Sequence, residues 1–295
     1  MIGIKEFNKK ISSLKNTQKM TKTMKMVAAS KFKRAHKAQI SAKDYAHKLS
    51  ELMKHLSSTG PTNHPLLKSK KAVTKGLIVL FTSDKGLCGG FNNNLIRKIR
   101  NLIADNPYKF TKTGMSFCGR RGFMSFRRSV NIYKNYENIT QRPDFTDALA
   151  VAGDITNAFI NGEYEEVFLA YNRFDGPLNQ TPVIEKILPI DATDFGEPEI
   201  NPVKRSPKSQ DYTYEPDEEK EILYFLIPKF LNFKIFYTLL ENSAGEHGAR
   251  MTAMDKASQN SEDLIVRYTL LRNRARQAAI TTELIEVISG AEALK

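Results

Sequence analysis

The chain has 295 residues, of which 41% are hydrophobic and 26% charged, and its formal net charge is +13. This length suffices for one sizeable core and an additional extended element. No run of about 18 apolar residues occurs, so we expect no membrane span. Two cysteines are too few for a disulfide framework, and five scattered histidines lack ligand spacing, so we expect no metal site and no cofactor.

The first 57 residues predict one long helix that ends before the Gly60-Pro61 pair. Hydrophobic or small residues recur in alternating steps of three and four, which is the 3.5-residue repeat of a left-handed coiled coil. The positions in this repeat are Ile4, Phe7, Ile11, Leu14, Gln18, Thr21, Lys25, Ala28, Phe32, Ala35, Gln39, Ala42, Ala46, Leu49, Met53 and Leu56. We call them the first seam.

The first seam is interrupted where Gln18, Thr21 and Lys25 occupy successive core positions. Met24 lies one position to the side, so the apolar stripe turns away from the partner helix there. Two interpretations remain open: a local stutter that relaxes the supercoil, or a Met24 surface that faces another protein.

Positive charge is concentrated in this helix, since residues 1–58 hold 14 Lys or Arg against 3 Asp or Glu. A solvated helix face, a nucleic-acid interface and a basic helix beside acidic protein partners would each give this pattern. No aromatic residues are interleaved for base stacking and no recognition motif occurs, which disfavours nucleic acid.

The middle of the chain, residues 70–195, predicts a Rossmann-like α/β domain with a parallel, doubly wound sheet. Its predicted helices cover residues 92–104 and 145–160. Its predicted strands cover residues 76–82, 114–118, 130–133, 166–171 and 183–190. Residues 196–211 are polar and proline-bearing, which predicts a linker.

The first of these strands is followed by a glycine-rich turn and a helix, an arrangement that holds nucleotide phosphates in many proteins. However, Gly86, Gly89 and Gly90 do not follow the G-x-G-x-x-G spacing, and no Gly-Lys-Ser/Thr sequence follows them. We therefore interpret the turn as structural, and Cys88 within it as an unreactive thiol.

The last helix is predicted from about Asp217 to a C-terminal cap at Gly290. It has a second seam with the same repeat. The positions are Phe230, Phe233, Tyr237, Leu240, Ala244, His247, Met251, Met254, Ser258, Ser261, Ile265, Tyr268, Arg272, Ala275, Ala279 and Thr282. Two such helices at opposite ends of a chain can pair only antiparallel, which predicts a discontinuous coiled coil of residues 1–60 and 212–295.

This pairing places Ile4 opposite a residue near 270 and Met24 opposite a residue near 250. The last 20–25 residues then extend beyond the first helix by about 30 Å. They are apolar on most faces, and a helix of that kind is normally enclosed. We expect other subunits to enclose it.

Four segments in order resemble the gamma subunit of the rotary F-type ATP synthase, bacterial type, and the likeness runs from end to end. They are Asn16–Lys31, Ser83–Asn92, Glu241–Met254 and Ala275–Leu294. The resemblance implies a central rotor shaft inside three alpha and three beta subunits, with the epsilon subunit and a membrane c-ring at its foot. Rotation driven by ion flow would cycle the beta subunits through their nucleotide states, while this chain catalyses no chemistry.

The resemblance also implies roles for single residues. Met24 and Arg250 would lie at the height of the acidic lever loop of the beta subunits, and Arg276, Gln277 and Thr281 would meet their upper loops. The foot contacts toward the c-ring or epsilon would be Tyr212, Tyr214 and Glu215. The implied location is peripheral, on the cytoplasmic face of the bacterial plasma (inner) membrane.

Two other functions are compatible with the sequence: a basic coiled-coil scaffold that binds nucleic acid, and a nucleotide-binding enzyme built on the middle domain. Partners retained on purification distinguish the first from a rotor subunit, and ATP binding by the isolated chain tests the second.

Overall fold

A computed structural model describes residues 4–57, 64–68, 73–190 and 219–293. The predicted linker and the residues Tyr212, Tyr214 and Glu215 lie outside these ranges. The described chain divides into two compact units, one comprising residues 31–249 and the other the first 30 residues with residues 250 onward. Helices α1 (Ile4–Ser57) and α5 (Glu219–Ala293) contribute to both units.

Between these helices, the described residues form five strands and three α-helices. In chain order they are β1 (Lys75–Phe81), α2 (Phe91–Asp105), β2 (Lys112–Cys118), α3 (Arg120–Phe126), β3 (Asn131–Tyr136), α4 (Phe145–Ile160), β4 (Glu166–Phe174) and β5 (Gln180–Leu188). The sheet order is β3-β2-β1-β4-β5. A short 3-10 turn, Pro65–Leu67, precedes β1.

Strand β1 occupies the centre of the sheet and is buried on both faces. Leu77, Val79 and Phe81 point into one core cluster, which α4 completes together with the residues that α1 and α5 contribute to this unit. Ile78 and Leu80 point into the other cluster, which α2 and α3 cover. A central parallel strand of this kind has a continuous apolar sequence, as the run from Gly76 predicted.

The sheet departs from the prediction at its last strand, because β5 pairs antiparallel with β4. Only residues 175–179 connect the two strands, and a parallel return needs a crossover of a dozen or more residues. Thr181 and Arg173 both donate to the Asp175 carboxylate, with Oγ1–Oδ2 and Nε–Oδ1 distances of 2.6 and 3.0 Å. These bonds fix the hairpin.

Helix α3 was not predicted at all, since its seven residues contain a glycine and three basic or polar side chains. The predicted cap at Gly290 is wrong, because α5 continues through that residue to Ala293. The other predicted helix ends lie within a few residues of those observed.

The unit of residues 31–249 contains the first seam from Phe32 to Met53 and the second seam from Phe230 to His247. All of these positions are buried or half-buried. The Tyr45 and Phe233 rings lie 4.5 Å apart between centroids, and Gln39 Nε2 donates to Tyr237 Oη at 3.0 Å. As residue numbers rise along α1 they fall along α5, so the predicted antiparallel pairing is confirmed. Leu56, the last position of the first seam, is not among the side chains that the structure describes.

The other unit shows the same pairing. The Phe7 and Tyr268 rings are 6.3 Å apart, and Arg272 lies 3.4 Å from the Asn8 amide oxygen. This agrees with the predicted partner of Ile4 near residue 270. The second seam remains at least half-buried as far as Ala279, whereas Thr282 is exposed.

A pair of glycine substitutions tests the strand-to-helix packing at the end of β2. Gly119 has φ +112°, and an added Cβ would lie 2.2 Å from the Thr82 carbonyl oxygen. Gly119→Ala should therefore lower the free energy of unfolding by about 2–4 kcal/mol. Gly153, inside α4 with nothing within 4 Å of the added atom, is the control. Gly153→Ala should be neutral or stabilising by up to about 1 kcal/mol.

Urea unfolding of the full-length chain, followed by circular dichroism, measures both effects. Equal unfolding midpoints for the two variants would contradict the assigned backbone conformation at Gly119.

Candidate functional site

In doubly wound sheets, ligands bind in the crevice at the carboxyl ends of the strands, where the chain order reverses. Here that point lies between β1 and β4, and the glycine-rich turn follows β1 directly. The crevice is therefore the place where a nucleotide would be expected.

The turn is closed by its own side chains. Asn92 Oδ1 accepts from the Ser83 backbone N–H at 2.9 Å, and Asn92 Nδ2 donates to Ser83 Oγ at 2.7 Å. Leu87 and Gly89 adopt positive φ values of 64° and 58°. Cys88 is buried beneath the turn. These contacts agree with the structural interpretation of the turn.

Residues 241–249 of α5 fill the neighbouring crevice, and each of them is buried. Asn242 Nδ2 donates to the Thr82 carbonyl oxygen at 3.3 Å. Gly245 and Gly248 allow close approach, because a Cβ at Gly245 would lie 3.0 Å from the Phe91 ring and one at Gly248 3.2 Å from Pro177 Cα. We call residues 241–249 the buried segment of α5. This segment therefore fills the crevice beside the ends of β1 and β4, while a cavity of about 280 Å³ lined by Gly86, Gly89 and Arg121 remains on the turn itself.

The residues implied by the resemblance lie in the other unit. Met24 is half-buried, beside Lys25, whose Nζ lies 2.6 Å from Asp255 Oδ1. Arg250 is half-buried five residues before Asp255. Since Lys25 lies opposite Asp255, Met24 lies opposite a residue near 256, about one and a half turns of helix from the level of Arg250 and not beside residue 250 as predicted.

Arg276, Gln277 and Thr281 are all exposed on α5. Thr281 Oγ1 donates to the Gln277 carbonyl oxygen at 2.9 Å, a bond inside the helix that leaves both side chains directed to the surface. Large apolar side chains are exposed on the same stretch of the helix. These are Ile280, Leu284, Ile285, Val287 and Ile288, with exposed fractions of 48, 57, 58, 69 and 62%. We call this stretch the apolar tip.

Among the described residues, no helix is both long enough and apolar enough to cross a bilayer. No group of three or more His, Cys, Asp or Glu side chains within the described ranges could hold a metal ion.

Paired terminal helices, a filled crevice beside the sheet and an exposed apolar tip are typical of a helical shaft that other subunits of an assembly enclose. Comparison with known proteins agrees: the family described as ATP synthase matches residues 3–294. A curated relative, the ATP synthase gamma chain of Geobacter metallireducens, is 40% identical over 295 residues and is aligned over 100% of both chains.

Two solved structures have the same fold. One is described as the central stalk and c-ring of the Tetrahymena thermophila mitochondrial ATP synthase. It has 25% identity and a TM-score of 0.57, covering 81% of this chain and 99% of that one. The other is the rotor of the Euglena gracilis mitochondrial ATP synthase, with 18% identity and a TM-score of 0.66, covering 94% and 98%.

The chain belongs to the ATP synthase gamma chain family. It is the non-catalytic rotor shaft of that complex, a peripheral part of a membrane assembly. This membership favours the shaft interpretation over the nucleic-acid scaffold and the nucleotide-binding enzyme.

We predict that the isolated full-length chain does not bind ATP at micromolar concentrations, because the glycine-rich turn lacks a phosphate-binding lysine and hydroxyl. Equilibrium dialysis with labelled ATP measures this directly. Saturable micromolar binding that a Gly89→Val change abolishes would contradict the structural interpretation of the turn.

Proposed function

We propose that this chain couples rotation of a c-ring to the conformational cycle of three beta subunits through two sets of contacts on its paired helices. The first set is Met24 and Arg250, and the second is Arg276, Gln277 and Thr281. Three alpha and three beta subunits would enclose the helices. The epsilon subunit and c-ring would contact the foot, where Tyr212, Tyr214 and Glu215 are the candidates. The complex would lie at the cytoplasmic face of a bacterial inner membrane.

The apolar tip is the observation that carries this proposal. Five large aliphatic side chains are exposed within nine residues of one helix, and α1 begins at Ile4, level with residues near 270. Burying such side chains releases about 1.5–3 kcal/mol each, so an enclosing apolar surface is strongly favoured. The coupling itself is a matter of unequal contacts, because a rotating asymmetric helix pair favours a different beta conformation at each angle.

Met24 is suited to such contacts because it leaves the seam without becoming fully exposed. Met20 and Val27 are exposed on its two sides, with 64 and 52% of their surface accessible. Lys25 is engaged by Asp255. An approaching partner would therefore meet an apolar strip bordered by lysines, which fits an acidic loop.

Met24→Lys should uncouple the complex. An added cation facing a carboxylate-bearing loop would form an ion pair at some rotor angles only, which deepens those states and raises the barrier between them. We expect ATP hydrolysis to be retained better than ion-driven synthesis, measured on the same reconstituted vesicles. Met26→Lys is the control, because Met26 is 61% exposed and off the seam.

A proportional loss of synthesis and hydrolysis in Met24→Lys, or an identical effect of Met26→Lys, would contradict the role of Met24.

Graded C-terminal truncation tests the tip and the second contact set. Removing residues 289–295 should weaken assembly modestly and leave turnover largely intact, since Ile280, Leu284 and Ile285 remain. Removing residues 276–295 should cost far more, because Arg276, Gln277 and Thr281 are also lost. Assembled complex and ATPase rate are measured for each truncation. If loss of the last seven residues abolishes turnover in a fully assembled complex, the tip is itself a coupling element.

A further inference from the structure

The buried segment of α5 begins with a carboxyl group in an unusual position. Glu241 has only 7% of its surface exposed, and its side chain faces the hairpin formed by β4 and β5. The Phe174 backbone N–H, at the end of β4, donates to this carboxyl group. Glu241 is thus a direct polar link between α5 and the hairpin, within the unit of residues 31–249.

A second link lies two turns earlier on α5. Lys234 Nζ is 2.7 Å from Glu185 Oε1 on β5, and Tyr171 Oη on β4 donates to the other oxygen of Glu185 at 3.0 Å. Both links attach α5 to the same hairpin. The hairpin is also held from α1, where the His36 ring lies 5.5 Å from that of Phe174.

The ionisable groups that act on Glu241 come from α5 and from both strands of the hairpin. They are Lys234 and Tyr237 on α5, Tyr171 and Arg173 on β4 and Glu185 on β5. Asp175 in the hairpin turn contacts Arg173, and His36 on α1 contacts Phe174. Tyr237 accepts from the uncharged Gln39 of α1.

Lys234 pairs with Glu185 and Arg173 pairs with Asp175, so a charged Glu241 adds a third carboxylate to two permanent cations. The set is electrically balanced when one carboxyl group carries a proton. Glu241 is the most buried of the three, and Asp175 and Glu185 already accept short bonds from Arg173, Thr181, Lys234 and Tyr171. The proton is therefore best placed on Glu241.

We propose that Glu241 is a positioning residue whose protonation state sets how firmly α5 is held against the β4–β5 hairpin. Protonated, the cluster is neutral and α5 is tightly attached. Deprotonated, it carries an excess negative charge in a buried place, and Lys234 is drawn from Glu185 toward Glu241. The attachment then loosens. The functional consequence rests on the shaft role proposed above, because this attachment would transmit torque between the sheet and α5.

The pKa of Glu241 indicates the pH range over which the attachment of α5 to the hairpin changes. Burial raises it from the ordinary 4.5 to about 7, Lys234, Phe174 and Arg173 oppose the rise, and Glu185 adds to it. A carboxyl group whose pKa is raised in the folded chain stabilises the fold at pH values below its pKa in the unfolded chain. This contribution is lost as the pH rises toward the pKa in the folded chain. The attachment should therefore weaken between pH 4.5 and 7 and stay weak above pH 7.

Hydrogen–deuterium exchange of the chain in its assembled complex tests the attachment. After correction for the intrinsic pH dependence of exchange, protection of residues 171–185 and 234–246 should fall by about tenfold between pH 5.5 and 7.5. Glu241→Gln keeps the hydrogen-bonding side chain without a titrating proton, so its protection should not change over this range. Glu262→Gln, an exposed position on the same helix, should behave as the unmodified chain does.

A second variant tests the charge balance independently of the first. Glu185→Gln removes one carboxylate and releases Lys234, so the midpoint of the protection change should move to lower pH. An unchanged midpoint, or equal pH dependence in the unmodified chain and Glu241→Gln, would overturn the proposal.

The effect of Glu241 on coupling is tested by the ratio of ions pumped to ATP hydrolysed, measured in reconstituted vesicles from pH 6 to 8. This ratio should depend on pH more weakly in Glu241→Gln than in the unmodified or Glu262→Gln complex. If exchange behaves as expected but the ratio has the same pH profile in all three, the positioning role is wrong. The shaft role is judged separately, by the Met24 and truncation variants.

Discussion

The close packing of α5 on the carboxyl edge of the sheet is the constraint on which the larger unit depends. Gly245 faces the Phe91 ring and Gly248 faces Pro177 Cα and the Phe32 ring, in each case at distances that exclude a larger side chain without rearrangement. Because the helix lies this close, its polar side chains cannot reach water. They must find partners in the protein, as Asn242 does at the Thr82 carbonyl oxygen and Glu241 at the Phe174 N–H.

The same packing fills the crevice in which many doubly wound sheets hold a ligand. A doubly wound sheet leaves a crevice at the carboxyl ends of its central strands, and a ligand or a protein segment must fill it. In this chain α5 fills it, and the glycine-rich turn supports that helix through Phe91 and Cys88, which form a small cluster with Ala249. The glycines of the turn thus serve packing within the chain, although their type and position resemble those of a phosphate-binding loop.

The sequence predicted the parts of the fold that periodicity controls. The two seams, their antiparallel pairing and the central strands could be predicted because the spacing of residues along the sequence determines which face of a helix or strand each side chain occupies. It did not predict that residues 241–249 are buried on all sides, since their small and polar composition is equally typical of an exposed helix. Helix α3 was missed because it begins with two basic residues that lie between glycines. The antiparallel direction of β5 follows from the short loop of residues 175–179. The alternation of strands and helices, on which the predicted parallel sheet rested, does not indicate it. Arg276 could be proposed as a contact residue only from the resemblance, whereas the interruption of the first seam also indicated Met24. A partner surface that the chain does not contain would be needed to distinguish either residue directly.

The smaller unit is held together less firmly than the sheet, and this difference suits a part that must be enclosed. Among its described residues, the large buried apolar side chains on the helix seams are few, chiefly Phe7, Ile11 and Met254, while Ala28 and Ser261 allow close approach but bury little area. The ion pair of Lys25 with Asp255 has both side chains about 40% exposed, and exposed pairs contribute only about 0–1 kcal/mol. Two helices joined in this way gain most of their order from whatever surrounds them. In the proposed assembly, insertion itself would stabilise a shaft whose own pairing is weak and whose tip is apolar, because the enclosing subunits would supply the burial that the seam lacks.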